Sequence, residues 1–243
     1  MKSRAGFQAT QERSQIEVPW RVVAFDLDDT LFPESEFVRS GFREVALWSE
    51  KTLHFNPEST FRELMTLFEG GTRGTVFDSW VAAHDLSKDT IQEMVRVYRE
   101  HYPEIHVFPG VREMISTLRE VFRLGLLSDG YLGVQERKLS ALGIAHHFEA
   151  VVLTDRLGRE FWKPSVKPFV DLMGALNASP EETVYVGDNP TKDFIACRQL
   201  GMHSIWLRQS NGIYAGLAPE PDGCAEYVVE SIAGLMSLLL TGR

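Results

Sequence analysis

Val22-Val23-Ala24-Phe25-Asp26-Leu27-Asp28-Asp29-Thr30 decides how the rest of this chain is read. Its first four residues form an apolar run short enough for a buried β-strand. Asp26 and Asp28 follow at once, two positions apart. Like charges a few ångströms apart oppose each other's ionisation unless a cation lies between them. For clustered hard oxygen ligands that cation is commonly Mg²⁺. The stretch therefore suggests a carboxylate nucleophile beside a metal, with a second carboxyl for proton transfer. An acidic turn that merely caps a helix is the alternative, and a short motif does not separate the two without its context.

Further segments along the chain supply that context. Leu124-Gly125-Leu126-Leu127 is apolar and ends in Ser128-Asp129-Gly130. Val151-Val152-Leu153 is a third apolar run, followed by Lys163-Pro164. Val184-Tyr185-Val186 ends in Gly187-Asp188-Asn189-Pro190-Thr191-Lys192-Asp193. Strand, polar residue and helix in repetition predict an α/β fold with a parallel sheet. In such sheets ligands gather at the carboxyl ends of the strands, so these polar groups are expected to converge on one edge.

With its four motifs in this order, the chain resembles the haloacid dehalogenase-like (HAD) superfamily of phosphohydrolases over about residues 20–210. The family's motifs are an Asp-x-Asp-x-Thr, a Ser or Thr after the second strand, a Lys, and a Gly-Asp followed by a second Asp. The resemblance implies a doubly wound parallel sheet with a small inserted all-helical cap domain. It also implies Mg²⁺-dependent hydrolysis of a small phosphate monoester (a sugar phosphate, nucleotide or similar metabolite) through an aspartyl-phosphate.

On this resemblance Asp26 is the candidate nucleophile. Asp28 is the candidate general acid and base, and its backbone carbonyl a metal ligand. True dehalogenases lack an acid at that position because halide leaves without a proton, so Asp28 favours phosphoryl chemistry. Asp29 receives no catalytic role, and Thr30 is expected to brace the turn. Ser128, with the backbone N–H groups of Asp129 and Gly130, is expected to hold phosphoryl oxygens. A plain helix-cap role for Ser128 is compatible with that. Lys163 would neutralise phosphoryl charge and steady Asp26 as an anion. Lys167-Pro168 repeats the Lys-Pro pair, but the family's aromatic six residues on is met from Lys163, at Phe169. Asp188 is expected to join Asp26 and Asp28 at the metal. Asp193, the second acid of its motif, either binds the metal too, holds a metal-bound water or Lys163, or caps the following helix.

The α/β alternation breaks over residues 34–108, which read as helical throughout. Phe37, Val38, Phe42, Val45 and Ala46 recur at helical spacing, and Asn56-Pro57 is a helix start. Gly70-Gly71-Thr72-Arg73-Gly74 breaks one helix, and Ser87 is expected to cap another. The expected division is a loose N-terminal arm at 1–16, a core at 17–33 and 109–243, and a helical cap at 34–108. By the resemblance the cap closes over the site and carries most substrate contacts, which implies a small substrate. Arg73, in its glycine-rich break, is a candidate anion reader. His54, Trp80 and His84 are weaker candidates.

Hydrophobic residues make up 44% of 243 residues, ordinary for a soluble globular protein. A net charge of −9 argues against non-specific binding to a nucleic-acid backbone. No apolar run approaches the roughly 18 residues of a membrane span, and residues 1–16 lack the apolar stretch of a signal peptide. Two cysteines, Cys197 and Cys224, fit a reduced cytoplasmic protein. The expected partner is a small phosphorylated metabolite, with no nucleic acid or membrane, in a monomer or homodimer. Other outcomes remain open at this level. A sugar-phosphate mutase shares all four motifs. A phosphonate hydrolase would need a cap lysine, for which Lys51 and Lys88 are available without motif context. A catalytically idle binding protein would be favoured by loss of Asp26, Asp28 or Asp188, and all are present.

Overall fold

The computed structural model describes residues 20–72, 74–210 and 212–242. The expected arm at 1–16 lies outside the described residues. The centre of the fold is a six-stranded sheet of order β3-β2-β1-β4-β5-β6, and all its pairs are parallel. The strands are β1 (Val22–Phe25), β2 (Arg123–Ser128), β3 (Ala150–Leu153), β4 (Thr183–Gly187), β5 (His203–Leu207) and β6 (Tyr227–Val229).

The uninterrupted apolar run of β1 follows from burial on both faces. Side chains alternate along a strand, so Val23 and Phe25 enter one hydrophobic core while Val22 and Ala24 enter another. The first core is closed by α5 (Val111–Leu118), α6 (Leu132–Leu142) and α9 (Ile232–Thr241). The second is closed by α7 (Lys167–Ala175) and α8 (Asp193–Leu200). Helices on both faces make the sheet doubly wound. From β1 the chain builds outward through β2 and β3, then returns to lay β4 on the other side of β1. That reversal is a topological switch point, where a crevice opens beyond the strand ends. Phe25 pairs with Leu126 on one side and Val186 on the other, so β1, β2 and β4 end at nearly the same height.

Between β1 and α5 stand four consecutive helices: α1 (Glu34–Leu53), α2 (Pro57–Glu69), α3 (Val76–Ala83) and α4 (Asp89–Glu100). They share a separate core built around Phe42, Val45, Leu64, Trp80 and Met94. Asn56 caps α2, its side chain accepting from the Ser59 N–H at 3.0 Å, with Pro57 at the first helical position. The helical reading departs from the structure in two places. The last of these helices starts at Asp89 rather than directly after Ser87, whose hydroxyl accepts from the Asp89 N–H at 3.3 Å. Residues 101–108 are not helical. Pro103 supplies no N–H for a helix, and the returning chain instead bonds to α1, Glu104 N–H to Ser40 Oγ at 2.9 Å and His106 N–H to Glu36 Oε2 at 2.6 Å.

The remaining sequence signals are local. Gly143, at φ 64°, ends α6 in the left-handed region that favours glycine. Cys197 is buried, Cys224 is exposed, and both are free thiols. Among the described residues no helix is long and apolar enough to cross a membrane.

Candidate functional site

Asp26 stands one residue beyond β1, its N–H donating to Val186 O at 2.8 Å. The chain then turns sharply. Leu27 and Leu31 are buried and hydrogen-bonded to each other through the backbone, which leaves Asp26 and Asp28 to line one cavity of about 490 Å³. Asp29 adopts φ 51°, a region Asp tolerates better than most residues, and its Oδ1 accepts from the Glu34 N–H at 2.8 Å. It thereby caps the start of α1. Thr30 is buried, and its hydroxyl has no hydrogen-bond partner among the described residues, so any bracing it gives the turn is by packing.

Lys163 reaches this corner from the loop after β3. Its fully buried Nζ lies 2.6 Å from Asp26 Oδ1, 2.8 Å from Asp193 Oδ1 and 3.1 Å from Tyr185 Oη. Lys167, the other member of the repeated pair, begins α7 and forms an exposed ion pair with Asp171. Asp193, the first residue of α8, has its other oxygen taken by the Asn189 N–H at 2.9 Å. The Asp188 carboxylate has no hydrogen-bond or ion-pair partner among the described residues. Carboxylate oxygens of Asp26, Asp188 and Asp193 lie within 4.8 Å of one another, all on buried residues.

The electrostatics of this corner are unbalanced. Burial alone would push the Lys163 ammonium down, but the Asp193 and Asp26 carboxylates reverse this and hold it well above its ordinary value. Burial raises Asp26 to about 6 against the opposing pull of Lys163. Burial, with Asp193 and Asp26 close by, pushes Asp188 well above the usual carboxylate range. Of three clustered buried carboxylates, two share the Lys163 ammonium and Asp188 has no cation in contact among the described residues, and a divalent cation is the natural remedy for that deficit. The donor set is all oxygen, which suits a hard ion such as Mg²⁺.

Ser128 ends β2, and its Oγ is buried without a partner among the described residues. It does not cap α6, whose cap position is Tyr131. Asp129 is a strut. Its Oδ1 accepts from Thr154 Oγ1 at 2.9 Å and from the Lys163 N–H at 3.1 Å, and its Oδ2 lies 3.3 Å from Lys192 Nζ. Gly130 lines the cavity.

Of the candidates in the helical segment, Arg73 lies outside the described residues. Trp80 Nε1 and His84 Nε2 both meet Glu63 Oε2, at 2.7 and 2.8 Å, and His54 ends α1. None of these three lines the cavity, nor do Lys51 and Lys88. The helical segment reaches the cavity instead through Glu34, Phe37, Tyr98 and Arg99. The Arg99 guanidinium lies 3.8 Å from the ring centre of Tyr131, and Arg159 lies 4.5 Å from the same centre.

Sequence reasoning also missed Gln135, Lys138 and Lys192. Lys138 Nζ lies 2.5 Å from Asp28 Oδ1, and Gln135 Nε2 donates to Asp28 Oδ2 at 3.0 Å. A signal for Lys138 was present, since Val134, Lys138 and Leu142 follow at four-residue spacing and place a lysine in the middle of a buried stripe. Lys192 adjoins Asp193 within its motif.

Residues 23–207 match the haloacid dehalogenase-like hydrolase family. The glyceraldehyde 3-phosphate phosphatase of Methanopyrus kandleri is 31% identical over 211 residues, covering 83% of this chain and 89% of its own. The phosphoserine phosphatase of Thermus thermophilus is 28% identical over 221 residues, covering 82% of this chain and 84% of its own. Among solved structures, a HAD-superfamily hydrolase of subfamily IA, variant 1, from Geobacter sulfurreducens shares the fold with a TM-score of 0.67 at 20% identity, covering 92% of this chain and 98% of its own. The magnesium-bound HAD-hydrolase YfnB of Bacillus subtilis gives 0.66 at 20% identity, covering 91% and 99%. The four strand-end motifs, the doubly wound sheet and the matched span agree: this chain belongs to the haloacid dehalogenase-like hydrolases.

Proposed function

We propose that this chain is a Mg²⁺-dependent phosphatase that hydrolyses a small phosphate monoester through an aspartyl-phosphate at Asp26. The observation that carries this reading is the buried Asp26 carboxylate, held by Lys163 beside Asp188 and facing the same cavity as Asp28. Asp26 attacks phosphorus, and the bond to the leaving oxygen breaks as that oxygen takes the Asp28 proton. Asp28, now a carboxylate, takes a proton from the water that attacks the acyl phosphate, which frees Asp26 and inorganic phosphate. Lys163 offsets phosphoryl charge, and binding of phosphoryl oxygens by Ser128 and the Gly130 backbone is supported by a Ser128 hydroxyl with no other partner among the described residues and by Gly130 lining the cavity. Mg²⁺ would be held by the Asp26 and Asp188 carboxylates and the Asp28 carbonyl, and when bound it would neutralise charge on the transferring group. Asp193 has both oxygens engaged, which suits it to holding Lys163 rather than the ion.

The substrate is small on this reading. A cavity of about 490 Å³ fits a metabolite, and α1 and α4 line it in the manner of a lid. A lid keeps water from the acyl phosphate until the leaving group has gone. The relatives named for glyceraldehyde 3-phosphate and phosphoserine suggest short phosphorylated alcohols as the first compounds to try.

The test is hydrolysis of p-nitrophenyl phosphate and a panel of phosphorylated metabolites, with Mg²⁺, with EDTA, and with Asp26→Asn. The expected outcome is turnover that vanishes in EDTA and falls by at least about 10⁴-fold in the variant, as loss of a nucleophile does. Activity persisting in pure Asp26→Asn would rule out the nucleophile assigned here.

A further inference from the structure

We infer that Lys138 and Gln135 are positioning residues that hold the Asp28 carboxyl for proton transfer, an assignment that rests on the phosphatase reading. The two lie three residues apart on one face of α6, and each takes a different oxygen of Asp28, Lys138 Nζ on Oδ1 at 2.5 Å and Gln135 Nε2 on Oδ2 at 3.0 Å. A carboxyl gripped at both oxygens from one rigid helix has little freedom to rotate.

Lys138 is otherwise hard to explain. It is only 3% exposed, and a buried ammonium is costly without a partner. Asp28 is its one ion-pair partner among the described residues, and the rings of Phe37 and Phe32 lie 4.5 and 5.6 Å from Nζ. Gln135 is fixed in turn. The same Nε2 donates to the Asp129 carbonyl at 2.6 Å, beyond the end of β2. It occupies space that exists because residue 130 is glycine, where an added Cβ would lie 2.4 Å from Nε2.

The arrangement suits the chemistry on both passes. When Asp28 gives its proton to the leaving oxygen, negative charge develops on a carboxylate already facing an ammonium. When water attacks the acyl phosphate, the same carboxylate accepts a proton from it, and the original state returns. Phe37, on α1, packs against the Lys138 ammonium, so the helical segment contributes to holding the acid.

Leaving-group dependence separates this role from a merely structural one. Nitrophenolate leaves without a proton, whereas an alkoxide needs one. The kcat/KM of wild type, Lys138→Met, Gln135→Leu and Asp28→Asn would be compared on p-nitrophenyl phosphate and on three alkyl esters: β-glycerol phosphate, phosphoserine and glyceraldehyde 3-phosphate. For Lys138→Met we expect a loss of about 10²-fold on the alkyl esters and under about threefold on the aryl ester, the low end of what a general acid supplies. Gln135→Leu should shift the ratio in the same direction by a smaller factor, and Asp28→Asn by a larger one. Equal losses on aryl and alkyl esters would overturn the assignment while leaving the phosphatase reading intact. So would a wild type that hydrolyses only the aryl ester, because it has no use for a positioned acid. Gln135→Leu leaves no buried charge unpaired, so it decides the matter if Lys138→Met does not fold. A wild type inactive on every ester would overturn the phosphatase reading and this assignment with it.

Discussion

Glu34 begins α1 at the edge of the cavity, where burial raises its carboxyl to about 7 and the nearby Asp28 adds to the effect. Lys138 and Lys192 pull the other way, and Asp29 reinforces the rise. From its ordinary 4.5 to about 7 the unfolded chain loses this proton while the folded chain keeps it. Ionisation therefore favours the unfolded state increasingly over that interval, and folding stability falls as pH rises. Glu34→Gln removes the titration. Relative to wild type it should gain up to about 3 kcal/mol between about pH 4.5 and pH 8. Urea unfolding of the metal-free proteins at those pH values checks this, and a stability difference independent of pH would refute it. The same scale shows which site residues the sequence reveals. Asp26 and Asp188 directly follow apolar strands and Ser128 ends one, so their positions at one sheet edge are readable from the chain. Lys138 and Gln135 approach from the side of a helix, and Glu34 from a segment whose packing against the core has no signature in its own periodicity.

At the scale of elements, α4 meets the core where Arg99 stacks on Tyr131, and the Arg99 carbonyl accepts from Arg137 Nη1 at 3.4 Å. Arg99 also lines the cavity, and no carboxylate is paired with it among the described residues. Arg99→Ala should therefore weaken both the seat of the helical segment and the grip on substrate. A cation–π contact is worth about 0.5–2 kcal/mol, so kcat/KM should fall roughly 2- to 30-fold, mainly through KM. Steady-state kinetics on the best substrate of the panel would show it, and an unchanged KM would mean that the stacking is incidental. Element boundaries are legible to different degrees for physical reasons. Strands buried on both faces are built around short apolar runs, and β4 and β5 extend beyond theirs by only one or two residues, Thr183 and Gly187 for β4, His203 and Ser204 for β5. Asn56-Pro57 marks a helix start because cap and φ constraint coincide. The start of α4 is less sharp because Ser87, Lys88 and Asp89 can each serve near the first turn. The return at residues 101–108 is set by bonds to α1, which no local pattern records.

Across the whole molecule, the cation-compatible cluster joins the two halves of the sheet. Asp26 follows β1, which continues through β2 and β3, while Asp188 and Asp193 follow β4, from which β5 and β6 extend. No short turn connects these halves, so an ion shared between Asp26 and Asp188 ties segments far apart in sequence, and its binding energy should appear in global unfolding. A ligand that binds only the folded state stabilises it by RT ln(1 + [L]/Kd), about 2.7 kcal/mol at a hundred times Kd. For a domain of this size that corresponds to a Tm rise of roughly 5–10 °C. Asp188→Asn should separate two effects that act together in wild type. It removes a carboxylate that burial and its acidic neighbours hold well above the usual range, so the metal-free variant should melt higher than metal-free wild type near neutral pH. It also removes one of the carboxylates proposed to hold the ion, so most of the Mg²⁺ increment should disappear. Differential scanning calorimetry of both proteins, with EDTA and with saturating Mg²⁺, reads these changes without reference to turnover. An equal Mg²⁺ increment in both would move the ion away from Asp188, whereas a higher baseline with a smaller increment is the result expected of a site that trades stability for charge concentrated at the switch point.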